Sequence, residues 1–169
     1  TKFENINILK NIELLIDDKI PQIKFNLNSI DSKYFQEAKR LLPNNNYIGF
    51  SMTQGNIYRK KSWSIDKFLN IAEQISKKNK KPVFIIEKSS QELIHKIKKN
   101  INNAFFPEME SSLSGPPLVT ALASRLEKAI SIDNGIMHMM SLAEIPMIVL
   151  FGPTNSKKFS PKLKNIEIL

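Results

Sequence analysis

The sequence predicts an α/β fold in which a parallel sheet carries helices on both faces. From residue 47 onward, short apolar runs alternate with longer segments whose apolar residues recur at helical spacing. One of the apolar runs leads into Asp133 and a glycine turn at Gly135, and another ends at Gly152. Strands that alternate with helices of this length are joined by right-handed crossovers, which makes the sheet parallel.

The first 45 residues carry a different pattern. Apolar residues at helical spacing predict a helix over residues 3–18, and alternation over 23–27 predicts a short extended segment. A second helix is predicted over 32–42, because a proline and three asparagines follow it. We assign residues 1–45 to the end of one domain and its linker, and residues 46–169 to a second domain.

The second domain has the strand and helix pattern of a Rossmann-like lobe. Strands are predicted at 47–51, 82–86, 104–106, 129–132 and 147–151, and 166–169 is left open as a sixth. Helices are predicted over 64–78, after the capping-box spacing Ser89-x-x-Glu92, and from Pro116 onward.

The charge of the chain limits its possible partners. Lysine and arginine number 25 and aspartate and glutamate 16, which gives a net charge of +9. Such a balance is compatible with nucleic acid, anionic lipid or a phosphorylated substrate. Most basic residues are lysines near predicted helix ends, which favours a solvated surface, and aromatic residues do not interleave with them as in a base-stacking surface. A nucleic-acid-binding domain is therefore the least favoured class.

Composition also indicates the cellular compartment of the protein and whether it uses a metal cofactor. No run of about 20 apolar residues and no signal peptide is present, and the chain has no cysteine, so we expect a cytoplasmic location. Without cysteine, the widely separated His95 and His138 give no zinc-binding spacing, and we expect no metal cofactor. Because the chain starts with threonine and ends in a strand-like run, we expect a fragment of a longer protein.

The stretch Ser131 to His138 is the strongest candidate for a ligand site. It places Asp133 and a glycine turn directly after a predicted strand and before a short helix. Ligands of open α/β sheets bind beyond the carboxyl ends of the strands, where helix N-termini offer N–H groups to anions. A simple turn with a helix cap explains the same residues equally well.

A longer string resembles a known family. Residues 132–138, then Ala143, Pro146 and Leu150-Phe151-Gly152-Pro153-Thr154, resemble the C-terminal lobe signature of family 9 glycosyltransferases, the lipopolysaccharide heptosyltransferases. The family pattern reads Asp-Ser/Thr-Gly-x-x-His, a short helix, a proline, a hydrophobic strand and Phe-Gly-Pro-Thr. The resemblance covers residues 47–160 and implies the C-terminal donor-binding lobe of a two-lobed GT-B enzyme.

The resemblance implies a phosphate-binding role for the loop after the first strand of this lobe. In the family a small-residue loop is followed by Lys-x-Trp-Pro, with the lysine at the phosphates of the donor. Thr53 and Gly55 lie in the matching loop, and Lys61 matches the lysine, although Ser64 replaces the proline. Lys61 is thus the candidate catalytic residue, which would stabilise the leaving group. The alternative is that Lys61 is an exposed loop lysine with no role in catalysis.

Two further segments match positions near the nucleoside. The resemblance implies that Glu92 contacts the ribose, but the family's glycine after the preceding strand is replaced here by Glu87 or Lys88. A capping box with Ser89 is an equal alternative for Glu92. The segment Leu113-Ser114-Gly115 resembles a Leu-x-Gly turn that lies near the base.

The central stretch is implied to hold the diphosphate. Asp133 accepts from sugar hydroxyls or orients the turn, and the backbone N–H groups of Asn134 and Gly135 face the diphosphate. His138 lies where the family has its histidine, and the resemblance implies that it donates to phosphate. Thr154 adds a hydroxyl at the same rim.

The resemblance implies that the whole protein transfers a heptose from a nucleotide-diphospho-sugar, ADP-heptose, to lipopolysaccharide core with inversion. The acceptor, and with it a peripheral contact with the inner membrane, would come through the N-terminal lobe. The general base of the family is also in that lobe, so we expect this chain to bind the donor without turnover. A nucleotide-sugar-binding module with no activity in any context is the alternative.

Overall fold

Five parallel strands form one sheet in the computed structural model, which describes residues 8–21, 25–54 and 63–169. The strands are β1 (Tyr47–Ser51), β2 (Lys81–Phe84), β3 (Lys128–Ile132), β4 (Met147–Leu150) and β5 (Ile166–Ile168). They lie in the order β2-β1-β3-β4-β5. The predicted Rossmann-like parallel sheet is thereby confirmed.

Helices connect the strands. Those in the described residues are α1 (Ile8–Ile16), α2 (Ser32–Leu41), α3 (Ile65–Lys77), α4 (Gln91–Asn100), α5 (Pro107–Glu110), α6 (Pro116–Ala123), α7 (Gly135–Ser141) and α8 (Ser156–Phe159). None of them is long and apolar enough to cross a bilayer.

Both faces of the sheet carry helices, because successive side chains of a strand point to opposite faces. In β1, Tyr47 joins a core that includes α2, α6 and α7, whereas Ile48 and Phe50 join a second core with α3 and α4. The ring of Phe50 stacks on Phe84 at 5.0 Å between centroids and meets Phe68 edge-on at 6.4 Å.

The strand order creates a crevice between β1 and β3. The chain leaves β1 towards β2 on one side, and then crosses back to form β3 on the other side of β1. Connections that depart in opposite directions from neighbouring strands leave a ligand-sized gap at the carboxyl edge of the sheet. Residues 52–54 and 133–135 both lie at this gap.

Two predicted extended segments are wrong. Residues 104–106 form a single bridge, Phe105 with Val83, because Pro107 starts α5 two residues later. Leu27, in the second segment, lies in a short 3₁₀ helix (Leu27–Ser29), since the side chain of Asn26 accepts from the N–H of Asn28 at 3.0 Å. Residues 23 and 24 of that segment are outside the described residues.

The predicted capping box does not form. α4 begins at Gln91, and its N-cap residue is Ser90, whose side chain makes no capping hydrogen bond. Glu92 therefore lies in the first turn, exposed, and is not half of a box with Ser89.

Residues assigned to the linker pack on the second domain. Ala38 and Leu41 of α2, with Leu42, belong to the same core as α6. The boundary between residues 45 and 46 stays a prediction.

Candidate functional site

The candidate site lies at the carboxyl edge of the sheet, where the loop after β1 approaches the start of α7. Ser51 ends β1 and is fully buried, and Asp133 follows β3 and is 5% exposed. The backbone N–H of Asp133 donates to the carbonyl oxygen of Leu150 at 3.2 Å, which extends the pairing of β3 with β4. This burial favours the turn-orienting role among the two roles expected for Asp133.

Asn134 holds the two strand ends together. Its Nδ2 donates to Ser51 Oγ and to the carbonyl oxygen of Thr53, each at 2.8 Å. Its Oδ1 accepts from the N–H of Met137, also at 2.8 Å, and so caps α7. One amide side chain thereby fixes the loop after β1 against the first turn of α7.

Gly135 opens α7 beside this clamp. A Cβ added to Gly135 would meet no heavy atom within 4 Å, and the residue is exposed. The backbone at the start of α7 is therefore open to a ligand at the place where the sequence predicts a diphosphate.

The other predicted site residues lie on several elements of the fold. His138 is exposed one turn into α7, and Thr154 is half-buried in the loop between β4 and α8. Glu92 lies on α4, which follows β2 at the edge of the sheet. One hydrogen bond, from Asn134 Nδ2 to the carbonyl oxygen of Thr53, joins these two predicted residues directly. Gly55 and Lys61 lie outside the described residues, so their roles stay predictions.

A cavity of about 280 Å³ lies beside α7, the helix that Asn134 caps. Ile136, directly after Gly135, lines it together with Met139 from the same helix. The turn at Gly115 and the loop after β2 also contribute lining residues. Gly115 has a φ of 87°, a conformation that favours glycine, and it precedes Pro116 at the start of α6.

A larger cavity, of about 760 Å³, lies at the other edge of the sheet. It is lined by residues at the amino ends of β3, β4 and β5, such as Lys128, Met147 and Ile166. Open α/β sheets bind their ligands at the carboxyl ends of the strands, and we therefore place the site at the smaller cavity.

Sequence reasoning missed three contributions to this region. Ser51 and the side chain of Asn134 form the clamp, and Glu108 lines the smaller cavity. An asparagine directly before a helix start is a known N-cap signal, and it could have indicated the side-chain role of Asn134. Nothing in the local pattern marks Glu108, because its position depends on α5.

Comparison with known proteins identifies relatives. The model of glycosyltransferase family 9 (heptosyltransferase) matches residues 9–169. A search of curated proteins gives no significant match.

Solved structures share the fold at low sequence identity. A glycosyl transferase family 9 structure from Veillonella parvula matches with a TM-score of 0.71 and 18% identity over 83% of this chain and 41% of its own. E. coli ADP-heptose lps heptosyltransferase II matches with a TM-score of 0.76 and 15% identity over 100% of this chain and 55% of its own. E. coli heptosyltransferase WaaC with ADP matches with a TM-score of 0.66 and 14% identity over 94% and 47%. The chain thus spans about half the length of these proteins.

Proposed function

Since the chain belongs to glycosyltransferase family 9, we propose that it binds the donor of the reaction, ADP-heptose, at the crevice between β1 and β3. The observation that carries the proposal is the Asn134 clamp. It joins the ends of the two strands that flank the crevice and leaves the backbone of Gly135 open beside it. Two of the matched E. coli proteins are named for ADP-heptose or contain ADP.

The diphosphate lies at the start of α7 in this proposal. The open backbone at Gly135 presents N–H groups, and His138 and Thr154 supply further donors on the same rim. Lys61 adds a mobile positive charge. Asp133 and Asn134 hold the turn in shape, and Thr53 and Gly55 border the phosphates from the β1 side, while Glu92 accepts from the ribose hydroxyls.

The reaction is an inverting displacement. An acceptor hydroxyl oxygen of lipopolysaccharide core bonds to the anomeric carbon of heptose as that carbon's bond to the diphosphate oxygen breaks. Negative charge develops on the departing ADP, where N–H groups and Lys61 stabilise it; removing one such donor costs about 2.7–4 kcal/mol by analogy with oxyanion holes. The proposal includes no metal cofactor.

The other partners belong to the remainder of the enzyme. We assign the acceptor, the general base that takes the hydroxyl proton, and a peripheral contact with the inner membrane to a second lobe. The proposal therefore expects a cytoplasmic protein whose donor lobe binds without turning over.

Isothermal titration calorimetry tests the proposal. The chain is titrated with ADP, UDP, GDP and CMP and with the corresponding sugar nucleotides. ADP should bind selectively, and Lys61→Ala should weaken it by about tenfold or more through the lost phosphate contact. Lys128→Ala removes the same charge at the opposite edge of the sheet and should leave the affinity unchanged. Equal weakening in both variants, or no nucleotide binding, would contradict the proposal.

A further inference from the structure

The cavity beside α7 has mostly apolar walls and three charged lining residues, Glu87, Lys88 and Glu108. Its apolar walls come from α6, α7 and the turn before α6, namely Leu113, Pro116, Val119, Ile136 and Met139. At about 280 Å³ it is near the lower end of the size range of small-molecule sites, so it suits a part of a nucleotide rather than a whole nucleotide-sugar. Glu108, from α5, also lines this cavity.

The position of the cavity fits the base of a nucleotide whose diphosphate lies at Gly135. Ile136 follows Gly135 directly and is part of the cavity wall. A nucleotide that places its phosphates at the start of α7 can therefore turn its base along Ile136 and Met139. This step rests on the proposed function.

Glu108 is incompletely satisfied in the structure. Its carboxylate accepts a hydrogen bond from the N–H of Ile86, yet its Oε2 is buried and has no hydrogen-bond partner among the described residues. A buried acceptor without a donor is costly, and native proteins rarely leave one without a reason. Because the terminal torsion of glutamate is broad, the carboxylate can turn this oxygen towards a ligand.

The favourable contacts of the Glu108 carboxylate do not fully offset its burial and the nearby negative charge of Glu87. Burial first, and then the neighbouring charge of Glu87, raise the pKa of Glu108 to about 6. Lys88 and the N–H of Ile86 act in the opposite direction. The ammonium group of Lys88 itself donates to the carbonyl oxygen of Ser111 at 2.9 Å. A carboxylate in this setting gains from any further hydrogen-bond donor.

We infer that Glu108 is a specificity-determining residue, which accepts a hydrogen bond from the exocyclic amino group of the donor's base and so selects adenine over a 6-oxopurine. An amino group supplies the donor that the carboxylate needs. A carbonyl oxygen at the same position presents lone pairs to the Glu108 carboxylate. Neither this carbonyl oxygen nor Oε2 of Glu108 then gains a hydrogen-bond donor from the other. Sites that hydrogen-bond a polar group discriminate strongly against an analogue that lacks the matching group.

ADP and IDP test the inference, because they differ at position 6 of the purine, where IDP has a carbonyl oxygen. At about pH 8 the carboxylate is mostly ionised, and calorimetry on the 169-residue chain should give about tenfold tighter binding of ADP than of IDP. Glu108→Gln can keep an oxygen towards the N–H of Ile86 and then places an amide donor where the free acceptor was. This variant should lose the preference for ADP or reverse it.

Two controls keep the test decisive. Glu110→Gln makes the same change at an exposed position of α5 and should keep the ADP preference. Glu108→Ala removes the acceptor without adding a donor, so it should lose the preference without reversing it. Thermal unfolding monitors whether each variant is folded, and the ADP/IDP ratio of the unsubstituted chain tests the inference without any variant.

The outcomes separate this inference from the proposed function. ADP binding with no preference over IDP, or a preference that survives in folded Glu108→Gln, overturns the role of Glu108 and leaves the proposed function standing. Failure of the chain to bind any nucleoside diphosphate overturns both.

Discussion

Substitution of Gly135 should weaken nucleotide binding without lowering the stability of the fold. Alanine at this position meets no heavy atom within 4 Å, and alanine is a better helix former than glycine. Gly135→Ala should therefore unfold at the same urea concentration as the unsubstituted chain, or slightly higher. ADP affinity should fall about tenfold, because the added methyl group occupies the space through which the diphosphate approaches. Urea unfolding and calorimetry measure the two effects.

Gly115→Ala is the matched control. A Cβ there would be 3.9 Å from Pro117 Cδ, so no clash arises, but the φ of 87° is strained for alanine. We expect a loss of about 1–3 kcal/mol in unfolding free energy. A loss of stability in Gly135→Ala as large as in Gly115→Ala would contradict the assignment of Gly135 to the ligand site.

At the residue scale, the sequence indicates where the candidate site lies but not the hydrogen bonds within it. The place of Asp133 to His138 after a predicted strand, together with the family resemblance, indicates this stretch. The partner of Asn134, Ser51, lies 83 positions away, so only the folded sheet brings the two together. Glu108 was missed for the same reason, since its surroundings come from β2, α5 and the turn at Gly115.

At the element scale, a hydrogen-bonded group joins α2 to the segment between α5 and α6. Arg40 Nε and Nη2 donate to the two carboxylate oxygens of Glu37 at 2.7 and 2.9 Å. Ser111 Oγ donates to the same carboxylate at 2.8 Å, and Arg40 also donates to the carbonyl oxygen of Glu110 at 3.0 Å. α2 is thereby fixed to the loop that leads into the turn at Gly115.

This group should make stability depend on pH. Arg40 first, and then Ser111, lower the pKa of Glu37 from 4.5 to about 2 in the folded chain. Because the pKa of Glu37 is lower in the folded chain than in the unfolded chain, its ionised carboxylate stabilises the fold above about pH 4.5. This contribution is lost as pH falls from about 4.5 to about 2. Glu37→Gln should therefore flatten the decline of unfolding free energy over this range, as measured by urea unfolding at several pH values.

Ser111→Ala provides an intermediate case. It removes one hydrogen bond to the Glu37 carboxylate and keeps the pair with Arg40, so it should flatten the decline only in part. A decline as steep in Glu37→Gln as in the unsubstituted chain would show that other carboxylates cause it.

Elements with strong periodicity or clear end signals were predicted well. The bounds of β1 agree with the prediction, and α6 begins at Pro116 as the proline signal indicated. The failures have local physical causes. Pro107 prevents residues 104–106 from pairing beyond a single bridge, and the side chain of Asn26 stabilises a 3₁₀ turn where alternation indicated an extended segment.

At the scale of the whole molecule, the alternation of strands and helices predicted a parallel sheet but could not give the strand order. The handedness of crossovers fixes how each connection turns, and it leaves open on which side of β1 the next strand lies. The order β2-β1-β3-β4-β5 decides where the crevice is, and it places the Asn134 clamp there. Lysines in the last turns of helices, such as Lys77, Lys98 and Lys99, are consistent with a solvated basic surface.

Hydrogen exchange of the backbone amides with and without ADP maps where the nucleotide binds on this lobe. ADP should slow exchange in residues 51–54, 113–115 and 133–138 at the carboxyl edge of the sheet. Exchange around Lys128, Met147 and Ile166, at the opposite edge, should be unchanged. Protection confined to that opposite edge, or no protection at saturating ADP, would contradict the claim that this lobe binds its donor at the crevice between β1 and β3.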